Sequence, residues 1–416
     1  MIRLRNRWWI VAASILGVMC GGGPINIFTF GVFLRPVTED LHIGRGVFAS
    51  AMLVTNWISA ASGPFLGMLL DRFGARSVMM IGAVLFSIAV ASQYFLTASL
   101  LVIYMLFAFK GLFSVGLSPV SFAFVVAKWF DRRRGLALGI TMAGVGLGTA
   151  IVPPYTAYLI GAFGWRAAYV GLAAFVLVVG WIPVILLVRE PGEDERSPEP
   201  IAVRGALPGV SMKEALGSRR FWGLAFAFLL GVVALNGTLT QIVAMLMDRG
   251  FALQAATSVL AVSGVAAIAG RMLSGWCVDR FRGSYVAVGF FILPMIGTAL
   301  FGSGAGGFVP ALGAILCGAG LGAEIDLMGF FVSRYFGLKA YGKIFGTMFG
   351  IFAGATGVGP YLSGLSFDLY RSYSPAFAFY EVILIVACVI FLQFGPYPFP
   401  ALPRRAPAPL EGEVPA

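Results

Sequence analysis

The sequence predicts an all-α integral membrane protein with twelve transmembrane helices arranged as two pseudo-symmetric six-helix bundles. Hydrophobic residues make up 59% of the 416 residues and charged residues only 11%, a balance that excludes an ordinary soluble protein. Apolar runs of about 20 residues, long enough to span a hydrocarbon core, follow one another along nearly the whole chain. Sequence patterns of the first half also return in the second half at a nearly constant offset, which predicts an internal repeat.

Each apolar run is interpreted as one membrane helix, and short polar or glycine-containing loops separate neighbouring runs. The predicted spans are 8–34, 46–70, 77–96, 100–127, 136–160, 166–188, 221–246, 255–278, 285–303, 308–332, 342–365 and 376–395. These spans divide the chain into an N-terminal bundle (1–188), a cytoplasmic linker (189–220), a C-terminal bundle (221–398) and a cytoplasmic tail (399–416).

The linker is rich in proline, glycine and charge, and it contains one helix-start signal. Ser211 and Glu214 stand in the Ser-x-x-Glu pattern of a capping box, in which each residue's side chain bonds to the other's backbone N–H. This pattern predicts a short surface helix that leads into the seventh span.

The distribution of basic residues predicts the orientation. If the N-terminus is cytoplasmic, most of the 29 Lys and Arg residues fall on the cytoplasmic side. The external loops then hold only Arg35, Arg45, Arg166, Arg249 and Arg371. This bias follows the positive-inside rule and predicts that both termini are cytoplasmic. It also accounts for the formal charge of +11, so a nucleic-acid partner is not needed to explain it.

Cysteine usage and glycine-rich segments give no sign of an enzyme. The four cysteines lie in or at the ends of hydrophobic runs, without metal-type spacing, and are predicted to be buried thiols: Cys20, Cys277, Cys317 and Cys388. The segments GVGLG (144–148) and GATGVG (354–359) lie inside predicted membrane helices, where small residues favour close packing rather than phosphate binding. We find no nucleophile, metal-ligand or cofactor constellation, so no enzyme activity, metal or cofactor is predicted.

The internal repeat is clearest in two loops. GMLLDRFGAR (67–76) and GWCVDRFRG (275–283) share Gly-x-x-x-Asp-Arg-Phe, and KWFDRRRGLALG (128–139) corresponds to RYFGLKAYGKIFG (334–346). Six-helix halves related in this parallel manner place a substrate site at their interface, near the bilayer midplane.

The first of these loops carries a family resemblance. The pattern formed by Gly67, Asp71, Arg72, Gly74 and Arg76 resembles the signature loop of the major facilitator superfamily, and a degenerate copy contains Asp279 and Arg280. The segments GVFL, WFDRRRGLALGI, GWRAAY and the Arg-x-x-x-Gly that begins at residue 271 resemble bacterial monocarboxylate transporters and their oxalate/formate exchanger relatives. The resemblance implies the major facilitator fold, in a multi-pass protein of the cell membrane and specifically of a bacterial inner membrane. It also implies that the residues of both loops act in conformational gating.

Four charged residues lie deep inside predicted helices. Arg271 lies eight residues before Asp279, or about 12 Å from the cytoplasmic boundary at about 1.5 Å per residue. Lys110 is about 15 Å deep in the fourth span, and Glu324 and Asp326 are about 15 and 12 Å from the end of the tenth span. An arginine at this depth costs at least about 2.5 to 3.5 kcal/mol on insertion scales, so it requires a partner or a wet cavity. In the major facilitator superfamily, which this sequence resembles, helices 1, 4, 7 and 10 line the cavity and helix 8 flanks it. The resemblance therefore implies that these charges meet at one central site.

The sequence leaves open which acid faces the cavity. Glu324 and Asp326 point about 80° to either side of the direction given by the symmetry equivalent of Lys110. In one arrangement, one acid lines the cavity while the other contacts helix 8. A helix–helix salt bridge without a transport role is the alternative for either acid.

The buried charges suggest a transport scheme, which we state as a hypothesis. The planar guanidinium of Arg271 suits bidentate binding of a carboxylate better than a lysine does. An incoming monocarboxylate would displace Glu324 or Asp326 from the cation, and the unpaired, partly desolvated acid would take up a proton. A small organic anion and a proton would then cross together, with no obligate protein partner.

Further side chains are candidates for contact with the substrate. Asn26, Asn236 and Gln241 offer hydrogen bonds, Phe28 offers an apolar wall, and Lys110 offers a second positive charge. Polar side chains also join membrane helices and aromatic rings also fill cores, so each has an alternative structural role. The resembling animal monocarboxylate transporters carry a lysine in helix 1 and an aspartate one turn before the helix 8 arginine. This chain has neither of these two residues. Lys110 would have to replace the lysine, and Glu324 or Asp326 would have to replace the aspartate.

Three other functions share some of these features. Two well-separated cations also suit a dianion or an anion exchanger of the oxalate/formate type. A proton-driven exporter would use Glu324 or Asp326 to hold a cationic or drug-like substrate. A substrate-sensing receptor would share the fold, but a linker of about 30 residues offers no signalling domain.

Overall fold

The computed structural model describes residues 7–130, 134–189 and 208–399, and the chain is largely helical there. The first part contains α1 (Trp8–Met19), α2 (Phe30–Leu41), α3 (Arg45–Phe73), α4 (Ala75–Ala91), α5 (Leu100–Ser114), α6 (Pro119–Trp129), α7 (Arg134–Phe175) and α8 (Ile182–Leu187). The second contains α9 (Met212–Leu216), α10 (Arg219–Leu239), α11 (Ile242–Asp248), α12 (Leu253–Val278), α13 (Gly283–Gly302), α14 (Val309–Phe336), α15 (Tyr341–Ala355), α16 (Val358–Tyr370) and α17 (Ser374–Leu392).

Nine helical segments of the described chain are long and apolar enough to cross a membrane. One of them, 135–187, includes Gly164, whose φ of 79° turns the backbone and separates two helices. The helices α15 and α16, with 15 and 13 residues, are each shorter than a span, but they follow one another directly along the chain. The apolar segments therefore agree with a multi-pass membrane protein.

Several long helices change their winding inside the membrane segment. Gly23–Phe28 is a π-helical segment between α1 and α2, and Val176–Trp181 is another before α8. The helix formed by α10 and α11 is interrupted at Thr240 and Gln241. A π-helical turn widens the backbone and is frequent at functional sites, so the segment around Asn26 is of interest for binding.

Buried apolar residues form two clusters. One is built almost entirely from residues 10–188, and the other almost entirely from residues 215–394. Phe28, Val32 and Ala157 belong to the second cluster, and Ala244 belongs to the first. The two clusters therefore contact each other near the π-helical segment, α7 and α11.

The contacts between α3 and the α15–α16 pair close only one end of the molecule. The Arg45 backbone N–H donates to Asp368, and the Trp57 indole N–H donates to the Gly354 carbonyl at 3.0 Å. Beyond this bond, Gly346 and Gly350 are exposed, and no further hydrogen bond joins α3 to α15 among the described residues. The two segments therefore touch at the end that contains Arg45, here named the Arg45 end, and separate towards the other end.

The contacts between α7 and α12 end in the same way. A Cβ added to Gly146 would lie 2.5 Å from the Ile268 side chain, and one added to Gly264 would lie 2.5 Å from the Gly146 carbonyl. Further along, Gly139 and Gly275 have no described atom within 4 Å of such a Cβ. The space between the halves therefore opens towards the end that contains the 67–76 loop, here named the Arg76 end.

The predicted capping box is confirmed. The Ser211 N–H donates to Glu214 Oε2 at 2.7 Å, and the Glu214 N–H donates to Ser211 Oγ at 3.3 Å. The Ser211 N–H holds the pKa of the Glu214 carboxyl below its ordinary value, since the hydrogen bond favours the ionised form. The helix that follows, α9, leads to α10 as expected.

Candidate functional site

The site begins with close packing between α12 and α14. A Cβ on Gly318 would collide with the Ser263 carbonyl, and a Cβ on Gly322 would collide with the Ala267 carbonyl. Each glycine thus lets the backbone of the neighbouring helix approach more closely than a larger residue would permit. Both contacts pair residues 55 positions apart in the sequence, so the helices run parallel and advance together by four residues per contact.

Arg271 and Asp326 form the next pair in this register. Arg271 Nε lies 3.6 Å from Asp326 Oδ2, with the two side chains 19% and 38% exposed. Arg271 also lies three residues beyond Ile268, whose side chain would meet a Cβ added to Gly146 in α7. The ion pair is therefore loose, partly accessible, and placed where the two halves begin to separate.

Glu324 faces a different environment. Its residue is 1% exposed, and neither carboxyl oxygen has a hydrogen-bond partner within the described chain. A Cβ on Gly231 would lie 2.5 Å from Glu324 Oε1 and 2.6 Å from the Phe291 ring. Glu324 is thus packed inside the second cluster, against α10 and α13, and the structure does not bring it to Arg271 or Lys110.

Lys110 is buried, with 4% exposure, and its Nζ lies 4.2 Å from the centre of the Phe107 ring. A cation over an aromatic face gains about 2 kcal/mol when it is desolvated, which offsets only part of the cost of burial. We find no hydrogen bond or ion pair to Lys110 from the residues that the structure describes. The predicted meeting of Lys110 with Glu324 or Asp326 does not occur here.

Asn26 lies in the π-helical segment and is 6% exposed. Its Oδ1 has no hydrogen-bond partner among the described residues. Phe28, two residues later, is 3% exposed and packs into the second hydrophobic cluster. The amide therefore lies beside a contact between the halves, while the Phe28 ring is part of that contact.

Asn236 and Gln241 take up mainly local positions. The Asn236 side chain donates to the Val232 carbonyl at 3.1 Å within its own helix. The Gln241 side chain donates to the Pro360 carbonyl at 3.3 Å and joins the interruption of α10–α11 to α16, but its Oε1 has no partner in the described chain. Both residues are almost fully buried.

The signature loop binds the end of a helix in its own half. Gly74 ends α3 with a φ of 75°, a conformation that glycine adopts without strain. Arg76 then donates to the Ile185 carbonyl in α8 at 2.9 Å, while Arg72 lies over the Phe73 ring at 5.3 Å. A cation at the C-terminal end of a helix satisfies its free carbonyls and its dipole. The side chain of Asp71 lies outside the described part of the chain.

The second loop has an equivalent arginine that the sequence interpretation missed. Arg282 donates to the Phe394 carbonyl, just beyond the end of α17. Arg280, which the sequence analysis singled out instead, lies over the Trp276 ring at 4.1 Å. Asp279 is the residue at which α12 ends. Arg282 therefore does in the second half what Arg76 does in the first, although the Asp-Arg pattern aligns Arg76 with Ser284.

An ion pair between a buried arginine and a more exposed aspartate closes the Arg45 end. Arg45 Nη2 donates to Asp248 Oδ1 at 2.8 Å, and Nη1 donates to the other oxygen and to the Tyr373 hydroxyl. The guanidinium carbon lies 3.7 Å from the centre of the Phe367 ring. These contacts join α3 to α11, α16 and the N-terminal end of α17, so this one side chain links the first part of the chain to three elements of the second. The sequence analysis had placed Arg45 only in an external loop.

The cysteines and acids complete the description of the candidate site. We find no group of three His, Cys, Asp or Glu residues arranged to hold a metal ion in the described ranges. The four cysteines are free thiols, three of them buried and Cys277 partly buried. The groups that this site offers to a ligand are therefore cations, carboxyls and amides.

Comparison with known proteins places the chain in a family. The family model for the Major Facilitator Superfamily matches residues 15–353. Monocarboxylate transporter 11 of Mus musculus is 28% identical, with 96% of this chain and 88% of that protein aligned. The oxalate:formate antiporter of Oxalobacter formigenes is 27% identical, over 54% of this chain and 52% of that protein. The chain also aligns with only 56% of the human monocarboxylate transporter 11.

A solved structure has the same fold. A bacterial homolog of the human lysosomal transporter Spinster, in an inward-facing and unoccupied conformation, superposes with a TM-score of 0.70 over 93% of this chain and 97% of that one. The sequence identity is 15%, so this likeness concerns the fold alone. With a family model over most of the chain and relatives that are named as transporters, the chain is a membrane transporter and not an enzyme, and it belongs to the major facilitator superfamily.

Proposed function

We propose that the protein is a proton-coupled secondary transporter of small organic anions, and that Arg271 binds the substrate carboxylate. The Arg271–Asp326 pair carries this proposal, because it lies where the two halves begin to separate and Asp326 is partly accessible. Relatives named monocarboxylate transporters support monocarboxylates such as lactate or pyruvate as the substrate class.

The loose geometry of the pair suits an exchange of carboxylates on the arginine. At 3.6 Å, the Nε to Oδ2 contact is longer than a charge-assisted hydrogen bond of about 2.7 to 2.9 Å. An incoming carboxylate that binds the guanidinium with two parallel bonds would replace it with a better geometry. Asp326 then loses its counter-charge and takes up a proton, so that one proton accompanies each monocarboxylate.

The two acids have separate roles in this scheme. Asp326 is the coupling residue, since it contacts the cation and is exposed to the opening between the halves. Glu324 has no described partner and lies against Phe291, where an ionised carboxylate would be poorly tolerated. We propose that Glu324 keeps its proton in this conformation and exchanges it only when the second half repacks.

The conformation supports alternating access between the two sides of the membrane. We propose twelve spans with both termini in the cytoplasm, so that the Arg76 end faces the cytoplasm in a bacterial inner membrane. The Arg45–Asp248 contact then closes the external side while the internal side is open. The likeness to an inward-facing structure supports this assignment. The signature loops would contribute to closing the Arg76 end in the opposite conformation.

One observation favours anion exchange as a second candidate. Lys110 is 4% exposed and has no described hydrogen bond or ion pair, so a bound anion would supply the counter-charge that its ammonium group lacks. A carrier with such a lysine would return across the membrane more easily with a second anion bound than empty. Exchange of two anions is also what the name of one relative, the oxalate:formate antiporter, describes. An exchanger would take up labelled anion only when unlabelled anion is present on the opposite side.

Uptake into proteoliposomes tests the proposal. Labelled lactate, pyruvate, formate and oxalate would be offered with and without an inward proton gradient. We expect gradient-stimulated uptake of a monocarboxylate, and a loss of at least about tenfold in Arg271→Ala, because a carboxylate loses its charged partner. In Asp326→Asn we expect uptake that no longer responds to the gradient.

Arg219→Ala is the matched control, since Arg219 is exposed at the start of α10. Uptake in this variant should equal that of the wild type. The proposal is wrong if no anion is taken up by the wild type, or if Arg271→Ala and Arg219→Ala behave alike. Net current during lactate uptake would exclude one proton per anion.

A further inference from the structure

One tyrosine of α15 lies over the turn of α14 that carries Asp326. A Cβ added to Gly329 would lie 3.0 Å from the Tyr341 hydroxyl and 3.7 Å from the Phe345 ring. Gly329 follows Asp326 by three residues, so the two positions share one face of α14, with Cβ positions about 5 to 6 Å apart. Helix side chains lean towards the N-terminus, so the space beside the Gly329 Cβ position lies over the turn of Asp326. The charge of Asp326 accordingly acts on the Tyr341 hydroxyl.

The Tyr341 ring is held in this place by stacking. Its centroid lies 5.8 Å from that of Phe345, with the two planes 8° apart, and the Phe345 ring stacks in turn on Phe349 at 6.0 Å. Stacked rings stabilise one orientation of each side chain. The hydroxyl is therefore held against α14 without depending on Asp326 for its position.

Asp326 has few other partners for its charge. Arg271 of α12 makes one loose contact, with Nε 3.6 Å from Oδ2, and Glu324 of the same helix packs against α10 and α13. Those two helices carry charged residues or tyrosines only in their first turns, namely Arg219, Arg220 and Tyr285. Lys343 follows Tyr341 by two residues and so points to the opposite side of α15. Within these packed helices, Tyr341 is therefore the titratable group that remains beside Asp326 when a substrate occupies the arginine.

Tyr341 also lies between Asp326 and the Arg76 end. Because α14 runs parallel to α12, residues that follow Asp326 lie closer to this end. Gly342 and Gly346 are exposed, and a Cβ added to either would meet no described atom within 4 Å. The Tyr341 hydroxyl therefore borders the opening, on the side of Asp326 that faces the Arg76 end.

We propose that Tyr341 is a positioning residue for proton coupling, whose hydroxyl donates a hydrogen bond to Asp326 as this acid releases its proton towards the Arg76 end. This inference rests on the proposed function, in which the substrate occupies Arg271 while Asp326 carries the proton. The O–H bond of the acid breaks and the proton passes to water in the opening. The carboxylate that forms accepts a hydrogen bond from the Tyr341 hydroxyl in place of the guanidinium. Without this donor, the carboxyl group would hold its proton more tightly.

Two modes of transport in proteoliposomes test the inference. Net uptake of labelled lactate or pyruvate, driven by an inward proton gradient, requires release of the proton inside. Exchange of labelled for unlabelled anion at equal pH requires no net release. We expect Tyr341→Phe to lower net uptake about tenfold and exchange by less than about twofold, because a hydrogen bond to a charged group is lost. The internal pH that gives half-maximal net uptake should rise by about one unit, since a carboxyl group that holds its proton more tightly releases it only at higher pH.

Two comparisons separate this role from a structural one. Tyr370→Phe, at an exposed position of α16, is the matched control and should behave as the wild type. In an Asp326→Asn background, Tyr341→Phe should have no further effect on uptake, because the partner of the hydroxyl has already been removed. If Tyr341→Phe lowers net uptake and exchange equally, or behaves as Tyr370→Phe does, the inference is overturned while proton-coupled transport stands. If the wild type shows no proton-driven uptake, both proposals fail.

Discussion

The pocket around Glu324 shows how one small residue sets the position of a buried acid. Gly231 leaves the space that Glu324 Oε1 and the Phe291 ring occupy, at 2.5 and 2.6 Å from where its Cβ would be. We expect Gly231→Ala to lower the free energy of unfolding by about 1 to 3 kcal/mol, because the added methyl group overfills the core. Thermal unfolding in detergent would measure this change.

Gly289→Ala is the control for this substitution. Gly289 lies in α13, and its added Cβ would meet no described atom within 4 Å. This variant should retain or slightly raise the melting temperature, since alanine favours a helix over glycine by about 1 kcal/mol. Equal melting temperatures for the two variants would contradict the tight pocket around Glu324.

The sequence predicts the depth of the buried charges but not their partners. Arg271, Asp326 and Glu324 are recognisable because charges are rare in such apolar helices. The choice between the two acids depends on the rotation of α14, which Gly318 and Gly322 set through contacts with α12. A glycine that permits such a contact looks the same in a single sequence as one that faces open space, so the pairing with Asp326 could not be predicted.

At the scale of the helices, two equivalent arginines stabilise equivalent helix ends. Arg76 donates to the Ile185 carbonyl and Arg282 donates to the Phe394 carbonyl, each within its own half. We expect Arg282→Ala to lower the free energy of unfolding by about 1.5 to 3 kcal/mol, the range for a hydrogen bond that involves a charged group. Arg280→Ala should change stability by less than about 1 kcal/mol, as an exposed contact with Trp276 does. Chemical denaturation of both variants would measure the difference, and a larger loss in Arg280→Ala would contradict it.

Helix positions are well predicted from hydrophobic runs, but changes of winding are not. The capping box at Ser211 is confirmed because it depends on local hydrogen bonds alone. The π-helical segment Gly23–Phe28 and the interruption at Thr240 lie in continuous runs that are apolar enough to span a membrane. Their winding is set by contacts between the halves, such as that of Gly31 with the Thr240 carbonyl, which the sequence alone does not reveal.

At the scale of the whole molecule, the Arg45–Asp248 contact holds the two halves together at one end. Arg45→Ala removes the hydrogen bonds to Asp248, whose side chain is 25% exposed, and a hydrogen bond that involves a charged group contributes about 1.5 to 3 kcal/mol. We expect Arg45→Ala to shift the population towards molecules that are closed at the Arg76 end, because this loss applies only to the conformation that contains the pair. Arg166→Ala is the control, since its partner Asp40 belongs to the same half and the same end.

A thiol at the open end would report this shift. Gly350→Cys, combined with Cys277→Ser, adds a side chain where no described atom lies within 4 Å. A membrane-impermeant maleimide should modify it several-fold more slowly when Arg45→Ala is present, and at an unchanged rate with Arg166→Ala. An unchanged rate with Arg45→Ala would show that the contact does not bias the two conformations.

The proton on Asp326 has a consequence for the energetics of the full cycle in a polarised membrane. In the proposed scheme a bound monocarboxylate adds one negative charge and the proton on Asp326 adds one positive charge, so the loaded and the empty carrier cross the membrane with the same central charge. Each elementary charge that crosses the field costs about 2.3 kcal/mol per 100 mV, and this cost enters the inward and the outward step with opposite signs. The effect of the membrane voltage therefore cancels over one full cycle, and the proton gradient decides how far this protein accumulates its substrate.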